Sequence, residues 1–600
     1  MNFQSLEICG RVISNHWKQS QILLIIAMAA LASANASAAG LHTPVNNIDP
    51  RSGISIYVDS PFDKLPLCGF APVRLVVRND SAKRHSWDFV FISSSMYDQR
   101  QTFRSGTTVD VDAKAERIVE VMVPLIPSPT GYAYPQLTTH VSGYGCEGNS
   151  MAMWSAGGYA AAASTEATFA MSDSLALTTW SLLETKLRGG SSSAGAAPAG
   201  RDIPGFRFDA AAAPGDYRGW LGCDSVWLSE DDWQSFDTIK RQALLDWTKL
   251  GGRLHVCHSG AAPSALADLS TGDETLGLGV VLRTSHANAS RLADEIVRTI
   301  RKEQSLLRTI NNGFTSTWPL RKGVPEIVVH STLILLFVFG FAVLIGPVNL
   351  FALAKKKMHM HLFWTTPALS IIASVVLGLV IILQDGFGGR GNRFTAVYLD
   401  HVAHKSFVAQ EQISRTGVLL SRTIPLHEPC FITAVNTDAG FMHRSRSYEL
   451  VGGTLSGDWF SSRTVQGQLL YAAQSSRARV EIGTAAGAPA VISGIGATLA
   501  EIYYRDEKGK IWRAENLKQG ERVQMKSAAE SQFKEWWRHQ TGTADAVLAA
   551  RLNAQPDQDN FFFATATGNT EQIIPTLPAI KWKQDALLYF GPVAAIGGGK

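Results

Sequence analysis

Two uncharged stretches in the middle of the chain limit what it can become. Ile327 to Ala354 reads IVVHSTLILLFVFGFAVLIGPVNLFALA, and Leu362 to Gln384 follows after the short joint Lys355 to His361. A helix rises ~1.5 Å per residue, so about 20 residues cross a hydrocarbon core of roughly 30 Å. Each stretch is long enough alone, and the joint leaves room only for a tight turn. The pattern predicts a transmembrane helical hairpin over residues 327–384, with helices at 327–353 and 362–384. The large segments on either side must then share one face of a membrane.

Orientation follows from the N-terminus. Arg11 and Lys18 precede an apolar core, Ile22 to Ala32, and then Ser-Ala-Asn-Ala-Ser-Ala. That is the order of a secretory signal, predicted here as residues 1–38 with cleavage after Ala36 or Ala38. Both large segments are then exported, and Lys355, Lys356 and Lys357 mark a cytoplasmic turn at 355–361, as the positive-inside rule requires. The expected location is a bacterial inner membrane, with the soluble parts in the periplasm. Besides Cys9 the cysteines are Cys68, Cys146, Cys223, Cys257 and Cys430; Cys68 and Cys146 bracket one expected domain and are candidates for a bridge.

Charged residues at 18% suit soluble domains on a modest anchor rather than a polytopic transporter. Lys+Arg 55 against Asp+Glu 51 leaves a net charge of only +4, with no basic block interleaved with aromatics, so nucleic-acid binding has no support.

Along the chain the pattern changes three times. Ile54–Val58, Val73–Arg78, Trp87–Phe91 and Ile118–Val123 are short, β-branched or aromatic, and separated by turn residues. They predict a β-sandwich over 47–170, immunoglobulin-like in its pattern. From 172 to 315 strands alternate with helices. After a Gly/Ser/Ala-rich segment, Gly189 to Gly200, come strands at Gly205–Phe208 and Asp224–Ser229, then a helix capped by Asp237 with Ile239, Ala243, Leu244, Trp247 and Leu250 on one face. Gly251-Gly252 ends it before the strand Arg253–Cys257. Such a crossover predicts a parallel α/β sheet. A second β-sandwich is expected over 393–524, including a hairpin that turns at Asp506-Glu-Lys-Gly509. Residues 525–600 should supply helices and C-terminal strands. The fold class is thus a multidomain α+β membrane protein.

The run from Asp216-Tyr-Arg-Gly-Trp220 through Cys223-Asp-Ser-Val-Trp-Leu-Ser229 to Ala243-Leu-Leu-Asp-Trp247 and Gly251-Gly-Arg-Leu254 resembles class I glutamine-amidotransferase-like domains. More narrowly, residues 172–305 are similar to the degenerate versions attached to bacterial membrane proteins. The resemblance implies a flavodoxin-like fold, and places Cys257-His258-Ser259-Gly260 where active members carry a nucleophile on a strand-to-helix elbow. Here the glycine comes one residue late, and no separate histidine with a carboxylate partner is identifiable, although His286 exists. Cys257 and His258 are therefore candidate catalytic residues in a domain expected to be inactive.

Other motifs carry less. Gly386-Phe-Gly-Gly-Arg-Gly391 matches G-x-G-x-x-G, but the dinucleotide fingerprint needs a strand before it and a helix after it. A membrane helix precedes this one and a strand follows, which makes it a connector. Glu230-Asp231-Asp232 at a strand end suggests a cation site or simply the acidic first turn of a helix. His359 and His361 in the turn do not complete a metal shell, and Asn349 is expected to bond across to the second helix. No cofactor and no metal is expected. The sequence predicts an envelope protein acting through protein contacts, in a scaffold or assembly role, with the lipid bilayer and other envelope proteins as partners. The alternative is a thiol-dependent hydrolase or amidotransferase using Cys257.

Overall fold

Strand pairing joins the two segments that the apolar runs separate. The structure, a computed structural model, describes residues 40–95, 101–126, 135–155, 167–189, 203–303, 305–306, 309–310, 318–324, 331–353, 360–426, 428–435, 445–485, 488–568 and 570–596. The expected signal sequence, residues 355–359 of the lysine turn and most of the Gly/Ser/Ala-rich segment lie outside the described residues. Among those described, the chain is mixed α+β with many sheets.

The first segment begins with two facing antiparallel layers. Leu41–Pro44, Ile54–Ser60, Phe70–Asn79 and Ala115–Pro124 form one. Gln101–Val111, His85–Ser95, Pro135–Gly143 and Met151–Ser155 are consecutive neighbours in the other. Period-two alternation sends Val58, Val73, Leu75 and Val77 inward from the first, and Trp87, Phe89 and Phe91 inward from the second. The second layer does not end at the expected boundary of 170. Arg446–Val451 pairs in parallel with Gln101–Val111, from Arg446 opposite Gln101 to Leu450 opposite Ser105. Thr454–Gly457 and Ile424–Pro425 extend the same sheet.

The α/β region follows the sequence expectation closely. Gly205–Phe208, Phe169–Ser172, Ser225–Ser229, Arg253–His258 and Gly279–Ser285 are parallel neighbours in that order, with the short Glu274–Leu276 antiparallel at the edge. Helices Asp173–Gly189 and Ala289–Lys302 cover one face, and Thr238–Lys249 the other. Asp237 caps this last helix by accepting the Lys240 N–H at 2.8 Å, and Gly251 leaves it at φ +116°, where other residues are strained.

Beyond the apolar helices, a nine-stranded sheet runs in the order Cys430–Val435, Val465–Ser475, Lys405–Thr416, Gly389–Asp400, Ile580–Pro592, Phe561–Thr567, Thr498–Arg505, Ile511–Leu517, Lys526–Ala528. The expected division at 524 is bridged here too, because Ile580–Pro592 lies parallel to Gly389–Asp400 in the middle of the sheet. The hairpin turning at Gly509 forms as expected, with Asp506 accepting the N–H groups of Lys508 and Lys510.

This sheet closes directly on the first segment. Lys249 Nζ meets Asp400 Oδ2 at 2.7 Å, and Lys405 Nζ meets Asp246 Oδ2 at 2.5 Å. The Trp318 indole donates to Glu411 at 3.1 Å, and Tyr217 donates to the Pro429 carbonyl at 2.9 Å. One continuous apolar cluster runs from Val58 and Trp87 through Trp247 to Phe407 and Trp537.

The apolar runs differ from expectation. Among the described residues one helix is long and apolar enough to cross a membrane, Phe363–Val380 within His361–Asp385. Among its described residues the first run is α-helical over Ser331–Val343 and widens to a π-helix over Leu344–Leu353. Pro347 sits inside the widened part; it has no N–H to give and its ring crowds the preceding turn. Asn349 behaves as its polarity requires: it donates to Thr366 Oγ1 at 3.0 Å and accepts from Thr365 at 2.8 Å. Leu335, Phe339, Phe363, Trp364 and Ile371 are exposed along these helices.

Candidate functional site

The resemblance directs attention to the carboxyl ends of the parallel strands. Cys257 is there, but its side chain faces the wrong way for chemistry. It is 0% exposed and packs in the cluster of Phe169, Leu183, Trp227 and Ile296 under the two-helix face. Burial, and then the Asp232 charge, push its thiol well above the ordinary range, which disfavours the thiolate that chemistry would need. The residues after His258 turn away without starting a helix, so no elbow lifts the sulfur out of the sheet. His258 bonds its own loop, Nδ1 to the Gly260 carbonyl at 3.0 Å. His286 meets His258 only through its backbone N–H, at 2.9 Å from the His258 carbonyl. His255, one turn of the pleat back, is stacked on Trp227 at 3.5 Å and driven down to about 3 by burial and then by Arg253.

The acidic triplet is used by the fold. Ser229 and Asp232 form a reciprocal cap on the short helix Glu230–Ser235, and Ser174 donates to the same Asp232 oxygen at 2.6 Å. Glu230 accepts from Ser264 and from the Arg283 guanidinium at 2.7 Å. Although partial burial pushes the Glu230 carboxyl up, these donors hold it below its usual range. The acids at this end of the sheet are therefore taken up by a helix cap and an ion pair. Among the described residues no group of three or more metal-ligating side chains gathers anywhere. Gly386–Gly391 joins the helix ending at Asp385 to the strand from Gly389, as its context required. Cys68 and Cys146 are free thiols; Cys68 lies in the core near Cys223, away from its expected partner.

The nine-stranded sheet holds a different site. A cleft of about 870 Å³ lies between its face and the segment Thr570–Pro578. Lys405–Thr416 contributes Ser406 to its lining and holds the overlying segment in place. Alternate residues Ser406, Gln410, Gln412 and Ser414 point to this face and are buried. Gln410 clasps the segment through both the N–H and carbonyl of Ile574, while Gln412 bonds Gln468 across the sheet. On the neighbouring strand Arg393 is 6% exposed, and its guanidinium lies 4.8 Å from the Trp582 ring centre. Gly391 makes this possible, since a Cβ there would come within 2.5 Å of the Trp582 ring. Burial pulls Arg393 down to about 10, and Nε has no hydrogen-bond partner.

Sequence reasoning missed this strand altogether. Its polar residues recur at period two, the pattern of a solvent-facing edge, and the roofing segment covers Gln410 and Gln412 among them. No family model and no curated protein matches the chain.

Proposed function

We propose that this is a non-catalytic envelope protein, anchored in a bacterial inner membrane by its apolar helices and acting through contacts of a periplasmic body. The observation that carries this is the pairing of Arg446–Val451 with Gln101–Val111. Strands on opposite sides of the apolar helices can join one sheet only if both lie in the same compartment, which is what a hairpin anchor requires. Exposed Leu335, Phe339, Trp364 and Ile371 favour a lipid environment around the helices, with Asn349 satisfied between them. In this reading the paired layers at the start of the chain are an immunoglobulin-like sandwich. Residues 172–305 are an amidotransferase-like domain whose thiol has been absorbed into the core. The burial of Cys257 supports a binding rather than a hydrolytic role.

Topology is the test. Met360→Cys and Val402→Cys each place a thiol at an exposed position, 85% and 77% exposed respectively. In intact spheroplasts a membrane-impermeant maleimide should label Val402→Cys and spare Met360→Cys until the membrane is opened. Equal labelling of both from outside would overturn the anchoring. Loss of no cross-linked envelope partner on deleting residues 389–596 would remove the scaffold role.

A further inference from the structure

The cleft beneath Thr570–Pro578 has one cationic end and one acidic end. Arg393 lies opposite Gln412 in the sheet, whereas Ser406, at the other end of the cleft, lies opposite Gln474. The distance from Gln412 back to Ser406 along one strand is about 20 Å at ~3.3 Å per residue. Glu428 and Glu571 stand exposed at the Ser406 end. The segment overhead follows the same line, with Gln572 donating to Ser476, Ile574 bonded to Gln410 and Thr576 beside Gln412.

We propose that this cleft binds an elongated polar small molecule whose single oxyanion, a carboxylate or a phosphate, docks on the Arg393 guanidinium. Arg393 has neither a hydrogen bond nor a carboxylate partner among the described residues, although it is buried and aimed into the cleft. An unpaired buried charge is costly, and such groups persist where a ligand completes them. The planar guanidinium matches the two oxygens of a carboxylate or phosphate, and stacking on Trp582 fixes its plane in advance. The walls suit a body rich in hydroxyl or amide groups. Ser406 Oγ is buried without a partner, and Gln584 and Thr576 add further polar atoms. The volume falls in the range of small-molecule sites, and the glutamine clasps hold the roof in place so that little ordering is needed on binding. Glu428 and Glu571 disfavour a second anion, so the far end takes a neutral or cationic group. This inference does not depend on the membrane orientation.

The experiment uses the full-length protein in a neutral polyoxyethylene detergent and reads its thermal midpoint. The probes are inorganic phosphate, glucuronate, neutral glucose, and phosphatidylglycerol doped into the micelles. At least one oxyanion probe should raise the midpoint dose-dependently while glucose does not; a response to phosphatidylglycerol alone assigns the oxyanion to a lipid headgroup. Arg393→Gln should abolish the response, and without probe it should melt at the same temperature or higher, because a buried unpaired charge is gone. Arg393→Lys, which keeps the charge but loses the fork, should bind at least tenfold more weakly. Failure of every anionic probe, an undiminished response in Arg393→Gln, or a lowered midpoint of that variant without probe would each overturn the proposal; the last would show that the arginine supports the fold.

Discussion

Replacing Lys249 by Met tests whether the two segments close on each other. Lys249 ends the helix Thr238–Lys249, and Asp400 ends the strand Gly389–Asp400, so their contact crosses the whole of the apolar region in sequence. The pair is 2.7 Å apart, with side chains only 7% and 12% exposed. Breaking a buried pair from one side typically costs 3–5 kcal/mol, because the other charge is stranded. Asp400 would keep two backbone donors, Ala403 at 2.9 Å and Val402 at 3.1 Å. Methionine would also keep the apolar bulk of the lysine stem, losing only the ammonium's contact over the Phe407 ring. Both considerations place the loss at the lower end, about 3 kcal/mol, or a fall of about 3 °C in a body of this size. Burial pushes the Asp400 carboxyl up, but the Lys249 ammonium and the two N–H groups outweigh it and hold the carboxyl below its usual range. A depressed acid contributes stability above its unfolded pKa and loses it as pH falls through the folded value. The difference between wild type and Lys249→Met should therefore be full at pH 7 and shrink in acid. Urea unfolding of the purified protein in detergent, followed by tryptophan fluorescence, measures it. Lys249→Met/Asp400→Asn should recover at least half the loss. A single variant within about 0.5 kcal/mol of wild type would refute the buried contact.

Glu411 predicts a pH effect of the opposite sense. Burial, then the neighbouring Asp545 charge, push its carboxyl up to about 8. The folded form then holds a proton that the unfolded chain loses near pH ~4.3, so stability is full below that value and declines as pH rises through about 8. Glu411→Gln keeps an acceptor for Trp318 and for the Asp545 N–H; it should flatten the decline and melt higher than wild type at pH 8.5 in a pH series of melting curves. Cys257 should resist iodoacetamide in the native protein and react only on unfolding, as read by peptide mass spectrometry. Cys257→Ser should cost about 1–3 kcal/mol by burying a hydroxyl among apolar neighbours. Fast native alkylation would reverse that reading.

What the sequence made legible was local. Alternation located Ile54–Ser60 and Phe70–Asn79, and an aspartate before an amphipathic run followed by paired glycines bounded Thr238–Lys249 within a residue or two. Asn349 was read correctly because an amide in an apolar helix has few options. Pairing across long separations was not legible. Nothing around Arg446–Val451 announces that its partner is Gln101–Val111, since register is set by a surface that exists only after folding. The cleft was hidden for a related reason. Ser406, Gln410, Gln412 and Ser414 look like an exposed edge in sequence, yet Thr570–Pro578 bonds Gln410 and Gln412 and roofs a cleft over Ser406. Cys257 illustrates the converse: its place at the end of a parallel strand was visible, but the direction of its side chain was not.

The parallel joint between Gln101–Val111 and Arg446–Val451 also sets a schedule for the newborn chain. Synthesis delivers the first strand long before its neighbour, with the whole apolar region in between. Until the later strand arrives, the Gln101–Val111 edge presents unpaired backbone N–H and C=O groups, a template for pairing with any passing strand. Closing so distant a contact is intrinsically slow. That edge therefore stays open to mispairing throughout the interval, and shortening the interval before residue 446 should reduce the exposure.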